Sequence, residues 1–185
     1  MKRNVETTAM MLAYEAHKHQ KYADGPYHLH LASVVEVLRS HGVVAPIILA
    51  AAWLHDIIED QPYQYHDVVN AFQKEGHSRQ TGIEVADIVY DLTDELGKSR
   101  KERKAKTLPK LNNKLEAQIV KLADWIANVS QSKLGTEPDP KLGMYKKEYP
   151  SVKEALYGQF PYDETKPLVV ILHKLYETLE FELAA

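Results

Sequence analysis

The stretch "AAWLHDIIED", residues 51 to 60, decides how this chain must be read. It continues an apolar run begun by Ile47, Ile48, Leu49 and Ala50, and carries two ionisable doublets, His55-Asp56 and Glu59-Asp60. Pro46 opens the run and Pro62 follows it, which predicts one helix ending at Asp60. On such a helix His55 and Glu59 share a face, and so do Asp56 and Asp60. A segment this apolar has to bury itself, and burying charge is costly unless the charge is paired or holds a metal. The doublets therefore demand a salt-bridge network or a cation.

Composition narrows the setting. The chain has 185 residues, 44% hydrophobic and 26% charged, as expected of one globular domain with a substantial core. Its net charge of −3 gives no general reason to expect nucleic-acid binding. Without cysteine there is no disulfide and no thiolate metal site, so any metal must use nitrogen and oxygen ligands, and a reducing cytoplasm is the expected setting. The opening MKRNVETTAMMLAYEAHK holds no apolar core of the signal-peptide kind, and no run approaches the ~18 apolar residues of a membrane span.

Helical periodicity dominates the rest. Helices are expected over Thr7 to Lys21, where Asp24-Gly25-Pro26 interrupts, and over His28 to Ser40, stopped by Gly42. Further helices are expected over Tyr65 to Lys74, Gly82 to Thr93, Gln118 to Ser130 and Pro167 to Leu183, with a Gly- and Pro-rich loop (LGTEPDPKLG) after Ser130. β-branched alternation is scarce. The expectation is an all-α, single compact domain over residues 1–185.

A cation needs ligands beyond His55 and Asp56. In "VKLADWIANV", residues 120 to 129, Leu122, Ile126 and Val129 form a core stripe, while Lys121, Asp124 and Asn128 form a separate polar one. Small apolar neighbours leave little wet surface there, so Asp124 is expected to be buried and answered by a charge. His30 is the fourth candidate, with His28 competing on another face of the same helix. Two imidazoles and two carboxylates balance a divalent ion and suit Mn²⁺, Fe²⁺ or Zn²⁺.

The pattern His30, His55-Asp56, Asp124 resembles the H…HD…D signature of the HD superfamily of metal-dependent phosphohydrolases. "AHKHQKYADGPYHLHLASV", "AAWLHDIIEDQPY" and "VKLADWIANV" are most similar to the hydrolase part of Rel/SpoT enzymes and to small alarmone hydrolases. The resemblance spans residues 8 to 160 and implies an HD-domain helical bundle that removes the 3′-diphosphate of guanosine tetra- and pentaphosphate. It implies one Mn²⁺ on His30, His55, Asp56 and Asp124, with Glu59 and Asp60 handling the attacking water and Asn128 lining the nucleotide pocket. Two departures stand out. The family's basic cluster after the first helix is reduced to Lys21 in Lys21-Tyr22-Ala23, and the proline after the first metal histidine is Leu31.

A later run, "LTDELGKSRKERKAKTLPK", supplies other basic groups, of which Arg100, Arg103 and Lys104, with Lys121, are expected to meet phosphate. Thr93, with Asp94, resembles the family's pocket-lining TD element. A run of this kind is also what a solvated face looks like. His17 is expected to be structural, and His66 and His77 to lie at the surface, leaving one metal. Tyr145 and Tyr149 read as packing residues. Three functions stay open: the alarmone hydrolase without a synthetase portion, a single-metal phosphatase of a nucleoside monophosphate or an NADPH-like 2′- or 3′-phosphate, and a non-catalytic helical binding partner. The expected partner is a small phosphorylated guanosine nucleotide, with neither nucleic acid nor membrane.

Overall fold

The apolar run does fold as helix, but it breaks at the first doublet. In the computed structural model, which describes residues 3–134 and 139–185, helix α3 spans Pro46–Leu54 and a separate turn of helix, α4, spans Ile57–Asp60. Asp56, at φ −103° and ψ 1°, has left the helical region between them. Neighbours along a regular helix point about 100° apart and cannot face each other. The break lets His55 and Asp56 meet, which the unbroken helix expected from the sequence would not.

The remaining elements frame that break. Helix α1 (Val5–Ala16) is capped by the Asn4 side chain, which accepts the Thr7 N–H at 2.7 Å. It ends five residues earlier than its periodicity predicts. Lys21–Tyr22 (β1) instead pairs antiparallel with Gly25–Pro26 (β2), and Ala23 takes a positive φ of 48° in the turn between them. This small ladder is the one exception to an otherwise all-helical architecture among the described residues. Helix α2 (His28–Ser40) follows directly.

Helices α5 (Tyr65–Lys74) and α6 (Arg79–Leu92) pack as a pair; α6 starts three residues before the expected boundary because Ser78 caps it. Two helices were not expected. α7 (Arg100–Thr107), continued by a 3-10 turn at Leu108–Leu111, carries the basic run, and α9 (Pro140–Leu156) contains Pro150. The exposed Pro150 leaves one helical carbonyl without its usual donor, a defect water can satisfy. The expected loop at 134–143 is helical from Pro140, and its residues 135–138 lie outside the described residues.

Helix α8 (Leu115–Gln131) runs through the middle, against α2, α3, α6, α9 and the long α10 (Pro167–Ala184). Every residue of α3 from Ile48 to Leu54 is buried. Each such Leu or Ile contributes about 1.5–3 kcal/mol by leaving water, so α3, packed chiefly against α1, α6 and α2, is anchored firmly enough to fix the charged residues at its end. No helix among the described residues is long and apolar enough to cross a membrane.

Candidate active site

Three helical segments bring four side chains together. His30 comes from the first turn of α2, His55 and Asp56 from the break between α3 and α4, and Asp124 from α8. His55 Nε2 lies 2.9 Å from Asp56 Oδ2 and 3.6 Å from Asp124 Oδ1. His30 Nε2 lies 3.9 and 3.4 Å from the same two oxygens. The ligand atoms of His30, His55 and Asp56 all fall within 4.8 Å of one another.

The histidine tautomer fits a metal. His55 Nδ1 is 2.8 Å from the Ala52 carbonyl, so Nδ1 carries the proton and the Nε2 lone pair faces the carboxylates. That Nε2 is buried without a well-formed hydrogen bond, an unanswered acceptor ringed by negative oxygens. Two neutral imidazoles and two carboxylates sum to the charge a divalent cation cancels. A proton takes the cation's place when none is bound. Burial alone would lower the His55 pKa, but Asp56 and Asp124 outweigh it and raise it well above the usual value. Burial would raise both carboxyls. The charge of His55 holds Asp56 low, and Lys121 and the two histidines hold Asp124 low.

Around the four stand the groups that aim them. Tyr27, the residue before α2, donates its hydroxyl to Asp56 Oδ2 at 2.5 Å and stacks on His17 at 4.8 Å. Burial and the Asp56 charge push its phenol far up, so it remains a donor. On α8, Asn128 donates to Asp124 Oδ1 at 2.6 Å, and its own Oδ1 accepts the Tyr22 hydroxyl at 2.7 Å, which fixes the amide's orientation. Lys121 Nζ is 3.5 Å from Asp124 Oδ2. The polar stripe expected on this helix thus answers Asp124 from both sides.

Over the cluster opens a cleft of about 140 Å³, lined by Tyr22, Glu59 and Asp94 and by all four of Arg100, Arg103, Lys104 and Lys121. Helix α7 brings the three members of the basic run to this wall, whereas Lys106 turns away to Glu102. Glu59 accepts the Asp94 N–H at 3.1 Å, and the water it loses there, together with the nearby Asp94 and Asp56 charges, raises its carboxyl above the ordinary value.

Three other expected site residues lie elsewhere. Lys21 is exposed on β1 and does not line the cleft; Tyr22 beside it does. Thr93 ends α6 with its hydroxyl on Val89 O and its carbonyl on Lys110, so Asp94 faces the cleft instead. Asp60 accepts from Gln20 at 2.7 Å, outside the cleft lining. His17 is buried and joins this outer network through Gln20. His66 is exposed and His77 bonds to Thr8, both away from the four ligands.

Sequence reasoning missed Tyr27 and Tyr145 as cleft residues, and named Asp94 only beside Thr93. Tyr145 does pack on Trp125, ring centroids 5.0 Å apart, but both rings also line the cleft. The available signal for α7 was Ser99-x-x-Glu102, a helix-start pattern in which the Ser99 hydroxyl accepts the Glu102 N–H.

The HD domain family model matches residues 27–129, a segment that encloses all four clustered residues. The chain belongs to the HD domain family. Among relatives of this HD domain, the guanosine-3′,5′-bis(diphosphate) 3′-pyrophosphohydrolase MESH1 of Xenopus tropicalis is 32% identical over 141 residues, covering 68% of each chain. The enzyme of the same name from Drosophila melanogaster is 27% identical over 132 residues, 68% of this chain and 69% of that one. A solved structure described as a metazoan ortholog of SpoT that hydrolyzes ppGpp shares the fold, with a TM-score of 0.71, 22% identity and 96% of both chains covered.

Proposed function

We propose that this HD domain protein is a Mn²⁺-dependent hydrolase that removes the 3′-diphosphate of guanosine tetra- or pentaphosphate. The observation that carries the reading is the convergence of His30, His55, Asp56 and Asp124 beneath a cleft walled by four basic side chains. The names of the relatives supply the nucleotide. A bound divalent cation would acidify water and offset phosphoryl charge.

The chain's own groups do the rest. Ala52 and Tyr27 orient His55 and Asp56. Glu59, raised by its surroundings, stands at the cleft as the group to accept a proton from the attacking water, with Asp60 behind it on the same helical turn. Arg103, Lys104 and Lys121 face the phosphates, and Tyr22 with Asn128 closes the side where a base would lie.

The test is to incubate Mn²⁺-loaded protein with a panel of guanosine tetraphosphate, nucleoside monophosphates and NADPH, and to assay pyrophosphate and phosphate separately. Pyrophosphate from the tetraphosphate is expected. Phosphate from NADPH or a monophosphate would instead select the single-metal phosphatase, a reading favoured only by the lone and outward Lys21. No turnover with any metal would leave a binding protein.

A further inference from the structure

The four cations of the cleft are not held alike. Asp94 pairs with Lys104 at 3.0 Å and stands 3.8 Å from Arg103, and its carboxylate is itself part of the cleft wall. Lys121 is answered by Asp124, also in the wall. An incoming phosphate meets those carboxylates together with the cations they neutralise.

Arg100 differs. Its Nε and one Nη donate to the two carboxylate oxygens of Glu148 on α9, at 2.7 and 3.1 Å. Glu148 does not line the cleft; it faces the groove on the other side, between α7 and α9. Tyr145, three residues earlier on α9, sets its ring 5.9 Å from the guanidinium carbon. The carboxylate that holds Arg100 therefore stands behind it. A guanidinium has five N–H donors in a rigid plane; with two spent on Glu148, the others remain for the cleft.

We propose that Glu148 is a positioning residue that presents Arg100 to a phosphate of the substrate without placing a negative charge in the cleft. The proposal rests on the phosphohydrolase reading above. It assigns Glu148 no contact with substrate. A fork-to-fork pair fixes the plane as well as the place of a guanidinium, which a lysine cannot reproduce. α9 thereby contributes to the site from a helix bearing none of the four clustered residues.

Binding of inorganic pyrophosphate to the Mn²⁺-loaded protein, measured by calorimetry, tests the proposal without needing turnover. Arg100→Ala and Glu148→Ala should each weaken binding by about tenfold, the scale of one charge-assisted contact. The double variant should bind no worse than Arg100→Ala alone, because Glu148 acts through Arg100. Glu148→Gln, which keeps one acceptor, should recover part of the loss, and Arg100→Lys should not. In turnover, KM should rise in Glu148→Ala while kcat stays within about twofold.

Glu180→Ala controls for loosening of α9, since Glu180 ties Tyr149 and Lys153 of α9 to α10. It should melt lower with pyrophosphate affinity unchanged. Wild-type affinity in Glu148→Ala beside a loss in Arg100→Ala would overturn the positioning role. Wild-type affinity in both would remove Arg100 from the phosphate site. An equal loss in Glu180→Ala would reduce the effect to general destabilisation. If pyrophosphate behaves as expected while no nucleotide is hydrolysed, the functional reading fails and this inference stands.

Discussion

His55 Nδ1 lies 2.8 Å from the carbonyl oxygen of Ala52, three residues earlier, so the ring is pinned by one edge and presents the other to Asp56 and Asp124. The last turn of α3 therefore does two jobs. It buries the apolar run, and it settles which nitrogen is free. The pair also fixes how metal binding must depend on pH.

In metal-free protein the two carboxylates raise His55 well above its ordinary value of about 6.5, against the effect of burial. A raised histidine contributes stability that is complete below about pH 6.5 and is lost as pH climbs through the raised value. A cation needs the same Nε2 without its proton, so the two compete. Melting temperatures with chelator should fall as pH rises above about 6.5 towards the raised His55 value, and the gain on adding Mn²⁺ should grow over the same rise. A gain that stays flat or shrinks would show that metal does not displace the His55 proton.

Tyr27→Phe should weaken metal binding without unfolding the protein. The ring can keep its stack on His17, while Asp56 loses the hydroxyl that orients it. Groups that orient metal ligands are worth about 10- to 100-fold in affinity. Asp124→Ala, by contrast, removes a ligand and leaves the half-buried Lys121 without its ion-pair partner, so it should lose bound metal altogether and melt below wild type. Metal content by elemental analysis, with melting curves, separates the two. Full occupancy in Asp124→Ala would exclude it as a ligand.

The second doublet divides on the same reasoning. Glu59 lines the cleft, whereas Asp60 points to Gln20. Glu59→Gln keeps shape and removes the base, so turnover should fall by roughly 10²- to 10⁴-fold with metal content unchanged. Asp60→Asn should cost less. Equal rates for Glu59→Gln and wild type would reduce Glu59 to a solvated helix end.

What the sequence made legible follows from what periodicity can carry. The core stripe of α8, and the polar stripe Lys121, Asp124 and Asn128, are local patterns on a single helix. Buried charge nominated His30, His55, Asp56 and Asp124 as one ligand set, with His28 still competing, and the resemblance then selected His30, because spacing alone does not say which helices pack together. The break at Asp56 was hidden because neither residue of the doublet is a helix breaker; its side-chain contacts are with Tyr27, His55 and the other ligands. Helix α9 was hidden by Gly143 and Pro150, and α7 by reading its cations as charge before reading Ser99 as a cap. Thr93 and Lys21 each sit one residue from a side chain that lines the cleft, Asp94 and Tyr22, at a helix end and in a two-residue strand, where no periodicity fixes the side.

Arg103 and Lys104 offer the cleanest separation of phosphate binding from stability. Lys104 is 14% exposed and its partner Asp94 only 5%, so Lys104→Ala strands a buried carboxylate. Burial would raise Asp94, but Lys104 holds it below the usual range, and that support disappears with the lysine. Lys104→Ala should therefore melt lower and also bind substrate less well. Arg103 is 38% exposed and 3.8 Å from Asp94, a pair of the kind worth about 0–1 kcal/mol, so Arg103→Ala should keep its melting temperature. If Arg103 meets a phosphate, its KM should nonetheless rise by roughly ten- to a hundredfold. A contact inside the cleft should persist at high salt, while a merely nearby charge is screened away. KM for Arg103→Ala measured at low and high ionic strength decides: a rise that vanishes in salt would return Arg103 to the solvated face of α7.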